Sequence, residues 1–88
     1  MREDREEIEV YLLDCLRYRQ EEFSSLRELF HEFKAEDPEV IPLFLEGLKE
    51  EIINILCDLA SLEHGVDPLS VREVASELDV TSVLYGED

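Results

Sequence analysis

Residues 42–65 read PLFLEGLKEEIINILCDLASLEHG, and this stretch decides the fold. Leu45, Leu48, Ile52, Ile55, Leu56, Leu59 and Leu62 recur at steps of three and four. That period lines one side of an α-helix; a half-buried strand would alternate apolar with polar instead. Both ends are marked. Pro42 lacks only an N–H that a first helical turn leaves unpaired, and Gly65 can take the left-handed backbone that closes a helix. His64, beside the last carbonyls, complements the helix dipole. The spacing predicts the main helix over about 42–63.

Upstream, Asp37-Pro38 is a stop-and-start signal that predicts a short turn over 37–41. Residues 4–35 contain neither Gly nor Pro, and Leu12, Leu16, Phe23, Leu26, Phe30 and Phe33 fall on one helical stripe. Arg19 interrupts that stripe, and Ser25-Leu26-Arg27-Glu28 next to it has the form of a capping box. The segment is therefore one helix over about 4–35 or two helices broken near Ser24. The continuous form is the expectation, since no residue forces a break. Downstream, Asp67-Pro68 leads into a second capping box at Ser70–Glu73, which predicts a third helix over about 70–78 with Val71, Val74, Ala75 and Leu78 on one face. The tail, 80–88, receives no element.

The expected architecture is all-α: an antiparallel helical hairpin plus a short third helix, in one domain over residues 1–88. Such a hairpin leaves apolar surface wet, and a second copy would cover it, so a homodimer in the form of a dimeric helical bundle is expected.

The composition narrows the function. The chain has 88 residues and a formal net charge of −16, from 24 acidic and 8 basic residues. Residues 1–36 hold 11 acids and 6 bases, and residues 37–88 hold 13 acids and 2 bases, so the C-terminal portion carries −11 and is the stronger anionic field. Two lysines, Lys34 and Lys49, and six scattered arginines are too few to track a phosphate backbone, which excludes nucleic acid as a direct ligand. An anionic membrane surface would repel the chain for the same reason. No apolar run approaches the roughly 20 residues of a membrane span, and the start, MREDREE, is unlike a signal peptide. Cys15 and Cys57 lie in apolar helical patterns without a CxxC pair, which fits buried reduced thiols and a cytoplasmic location.

Three patterns bear on chemistry. Glu28-Leu29-Phe30-His31 has the Glu-x-x-His spacing of carboxylate-bridged di-iron bundles, but His64, the other histidine, has Ser61 at i−3. Across residues 50–75, Glu50-Glu51-Ile52-Ile53-Asn54, Leu59-Ala60, Gly65-Val66-Asp67-Pro68 and Arg72 resemble the C-terminal half of the MazG-type all-α nucleoside triphosphate pyrophosphohydrolases. That resemblance implies Mg²⁺ held by Glu-Glu-x-x-Glu and Glu-x-x-Asp helices. Here Asn54 stands where the second motif has Asp, and Ser25 follows Glu21-Glu22 where the first has its third acid. Glu22 and Glu51 alone would hold Mg²⁺ poorly. Finally, Val71–Thr81 resembles the first helix and turn of a helix-turn-helix, with Asp79 in place of the turn glycine, and the segment that would read DNA, 82–88, lacks Lys and Arg.

No cofactor or metal site follows from these patterns, and surface is what remains. A wheel at 100° per residue puts Glu46, Glu50, Ile53, Asn54 and Cys57 opposite the main stripe. Two apolar residues among acids mark an expected partner-binding face. The function expected is that of a non-enzymatic acidic interaction module that binds and inhibits or neutralises a basic protein partner, as immunity proteins, antitoxins and DNA mimics do. The alternatives are a structural subunit of a helical homo-oligomer, its acidity serving solubility or high intracellular salt, and a degenerate MazG-like nucleotide pyrophosphohydrolase.

Overall fold

A computed structural model describes residues 5–85. They form four α-helices joined by turns: α1 (Arg5–Tyr18), α2 (Ser24–Glu36), α3 (Ile41–His64) and α4 (Pro68–Ala75). Short 3₁₀ turns occupy Gln20–Phe23, Pro38–Val40 and Val80–Tyr85. No strand occurs among the described residues, so the fold is all-α. Residue 4, the expected start of the first helix, and residues 86–88 of the tail lie outside the described residues.

The central helix forms where the sequence places it, over 41–64. Gly65 closes it with φ 65° and ψ 28°. Its N–H donates to the Ser61 carbonyl at 2.9 Å, and the N–H of buried Val66 reaches the Ala60 carbonyl at 3.3 Å. Carbonyls that the helix end leaves unpaired are thereby satisfied. Pro42 sits in the first turn, where its missing N–H costs nothing.

The first segment is not one helix. Arg19 leaves the helical region, at φ −113° and ψ 42°, and the chain turns through Gln20–Phe23 before α2 begins. A straight helix would carry Arg19 along the buried stripe. The break turns its guanidinium outward to Glu63, 2.8 Å away, while Phe23 enters the core fully buried. The Ser25 capping box does not form: α2 starts at Ser24 without a side-chain cap, and the Ser24 hydroxyl donates to the Glu21 carbonyl at 3.1 Å. At α4 the cap is Asp67, whose carboxylate accepts from the Ser70 N–H at 3.3 Å, so the helix spans 68–75 rather than 70–78.

The core closes within one chain. Ile8, Leu12, Cys15 and Leu16 of α1, Phe23, and Phe30 of α2 meet Leu48, Ile52, Leu56 and Ala60 of α3. Val71, Val74 and Ala75 of α4 complete it with Val80, Val83 and Leu84 from the C-terminal turn, all three nearly inaccessible. No charged or polar residue is buried among the described residues. The C-terminal turn thus covers part of the surface for which a second copy was expected. The far end of the α2–α3 pair differs: residues 31–47 include no buried residue, and the described chain is elongated, 48 × 24 × 18 Å.

Candidate protein-binding surfaces

The face expected to bind a partner is roofed by the chain itself. Ile53 and Cys57 are each only 6% exposed, because α4 packs over them. The Cys57 thiol lies 3.7 Å from the Pro68 carbonyl. Arg72 of α4 reaches down to α3, donating to the Asn54 side-chain carbonyl and to the Glu50 carboxylate at 3.4 Å. Glu46 and Glu50 stay exposed at the edge and Asn54 is half-buried. The apolar pair on the wheel therefore marked an internal helix contact. A helical wheel cannot show α4, whose first residue, Pro68, lies eleven positions beyond Cys57.

The residues singled out for chemistry are scattered or tied to each other. Glu28 and His31 are both exposed, and the His31 ring lies edge-on to Phe30 at 5.4 Å. Among the described residues no three His, Cys, Asp or Glu side chains group where they could hold a metal ion. Of the acids compared with the MazG-type motifs, Glu50 is engaged by Arg72 together with Asn54, and Glu22, upstream of the resembling stretch, pairs with Arg19 at 3.7 Å. In the stretch that resembles a helix-turn-helix, α4 is followed by the 3₁₀ turn Val80–Tyr85, whose apolar side chains are core, so through residue 85 no second helix follows. Both cysteines are free and buried, and burial pushes each thiol above its ordinary value. Neither is an activated nucleophile.

The bases act as cross-links. Arg5 of α1 pairs with Glu77, beyond α4. Arg19 joins the first turn to Glu63 of α3, and Arg72 joins α4 to α3. Arg27 donates Nε–H to the Val83 carbonyl at 3.2 Å and Nη2–H to the Gln20 carbonyl at 3.1 Å, which stitches α2 to both neighbouring turns. Lys34 lies over the rings of Phe30 and Tyr85, 5.8 Å from each centroid. Scattered along the sequence, these bases lie in the folded chain where one element meets the next.

A groove of about 660 Å³ runs between α1 and the end of α3. Ile8, Val10, Tyr11, Ala60 and Val66 give it an apolar lining, to which Glu7, Asp14 and His64 add polar groups. Tyr11 organises this end. Its hydroxyl donates to Glu63 at 2.6 Å and its ring meets His64 edge-on at 4.7 Å. The bond from Tyr11, followed by that from Arg19, holds the Glu63 carboxyl below its ordinary range. Burial, then the bond to Glu63, pushes the Tyr11 phenol up.

Compared with protein-family models, curated proteins and solved structures, the chain has no match. No helix among the described residues is long and apolar enough to cross a membrane.

Proposed function

We propose that this chain is a non-enzymatic acidic interaction module that binds and neutralises a basic protein partner. One observation carries the reading. The 24 acids far outnumber the 8 bases, and the surface ion pairs of Arg5, Arg19 and Arg72 engage Glu77, Glu63 and Glu50, so a −16 chain keeps most of its surface negative charge uncompensated. Such a field speeds encounter with a cationic surface, and apolar contacts then lengthen the life of the complex. The groove beside α1 suits the aliphatic stem and charged head of a partner's lysine or arginine.

The test begins with the protein that co-purifies with the tagged chain from its native cell, identified and then purified. The expected partner is basic. Its affinity, measured with purified components, falls at least about tenfold between roughly 50 and 500 mM NaCl. Charge reversal at Glu7 and Asp14 together weakens it further. A neutral or acidic partner, or affinity indifferent to salt, overturns the reading, as does Mg²⁺-dependent release of pyrophosphate from nucleoside triphosphates.

A further inference from the structure

The α2–α3 pair has two unlike sides. On one, the C-terminal turn packs against Phe30, and α2 presents Arg27 and Lys34 to it: Arg27 bonds the Val83 carbonyl, and Lys34 lies over Tyr85. On the other, Leu29 and Phe33 stand one turn apart along α2, about 40% exposed. Phe33 meets Phe44 of α3 across the pair, ring centroids 4.3 Å apart, so the apolar edges of the two helices join on that side. Helical register carries the edge on from Phe44 to Ile55, which is half-buried. The result is an apolar seam between two helices that no described element covers.

The rim of this seam has one sign. Glu32 and Glu36 flank Leu29 and Phe33 on α2, and Glu51 and Asp58 flank Phe44 and Ile55 on α3; all four are exposed. The bases of the pair lie elsewhere. Arg27 and Lys34 belong to the opposite side of α2, and Lys49, two residues before Glu51, is about 160° away around α3. This segregation selects the occupant. A second copy seated by two-fold symmetry would set acidic rim against acidic rim, whereas a cationic helix would meet opposite charge on both flanks.

We propose that the Leu29–Phe33–Phe44–Ile55 seam is the seat of an amphipathic helix from the partner, its apolar stripe in the seam and lysines or arginines along both flanks. This rests on the reading of the partner as basic and adds the shape of what is bound. Anchors at i, i+3 or i+4 and i+7 would fill the seam, as in other helix-in-groove contacts.

The probe is a labelled peptide of about 18 residues made only of Leu and Lys, with Leu at helical spacing, beside a scrambled peptide of the same composition. Each is titrated with the full chain by fluorescence anisotropy. The patterned peptide is expected to bind at least about tenfold tighter than the scrambled one. Glu32→Lys with Glu36→Lys is expected to weaken it by about tenfold or more, and Phe33→Ser by about fivefold or more. Glu46→Lys with Glu73→Lys, the same charge change beside α4, should alter it less than about threefold. The surface glutamate pairs leave the core untouched, so they decide the matter even if Phe33→Ser fails to fold. Equal binding of both peptides, or equal loss from the two glutamate pairs, overturns the seam while leaving a basic partner in place. Binding of neither peptide overturns the seam as well, and the basic partner then stands or falls by the salt series alone. Sedimentation of the free chain as a dimer that Phe33→Ser disperses assigns the seam to a second copy and overturns the proposal.

Discussion

At the scale of single residues, the link between Tyr11, Glu63 and Arg19 gives a pH dependence with a definite sign. The folded Glu63 carboxyl titrates below its ordinary value of 4.5. Its stabilisation is therefore complete above that pH and is lost as pH falls through the depressed folded value. Glu63→Gln should flatten the fall in thermal midpoint between about pH 5 and pH 3. Tyr11 has the reverse sense. Its phenol is raised above 10.0, so its contribution is complete below that pH and is lost as pH rises toward the folded value. Tyr11→Phe should remove part of the alkaline drop in midpoint, at a cost near neutral pH of about 0.5–1 kcal/mol for the lost hydrogen bond. Gly47 offers a gain. It lies exposed in the interior of α3, and a Cβ there meets nothing within 4 Å. Gly47→Ala should raise stability by about 0.5–1 kcal/mol in urea titrations without changing the slope.

At the scale of elements, the stop after α3 and the start of α4 can be separated by mutation. Gly65 has open space around it, so Gly65→Ala tests the left-handed backbone alone and should cost about 1–2 kcal/mol. Asp67→Ala removes the cap of α4 and should cost about 1 kcal/mol, read in the same titration. These boundaries were legible because Pro, Gly and Asp act through local backbone chemistry. The break after Tyr18 was not decided in the sequence, because no punctuating residue causes it. Arg19 cannot continue along the buried stripe, and its partner Glu63 is far along the chain. The C-terminal turn was missed for a related reason: Val80, Val83 and Leu84 are too short a pattern to carry a helical period, and only tertiary packing makes them core. The partner face failed at the same point. The wheel assigns Ile53 and Cys57 to a partner, and nothing in the local sequence shows that α4 packs over them. The open seam is half legible: Phe33 and Ile55 fall on helical stripes, whereas Phe44 joins them only when α2 and α3 pair.

At the scale of the whole molecule, charge and core oppose each other. With −16 on 88 residues, self-repulsion works against the compact state, and added salt screens it. The thermal midpoint should rise as NaCl goes from about 20 to about 300 mM, the reverse of the trend expected for affinity toward a basic partner. Comparing the two salt series on one sample separates a folding effect from a binding effect.

The two sequestered thiols give this small fold a built-in stopwatch. Cys57 is shut in by an eight-residue helix, whereas Cys15, on α1, lies in the heart of the bundle. Detachment of α4 alone would bare the first sulfur and leave the second dark, since local opening needs less free energy than global unfolding. Brief alkylation under native conditions, followed by mass spectrometry, should therefore mark Cys57 well before Cys15. Equal marking rates would mean that the lid and the body open as one.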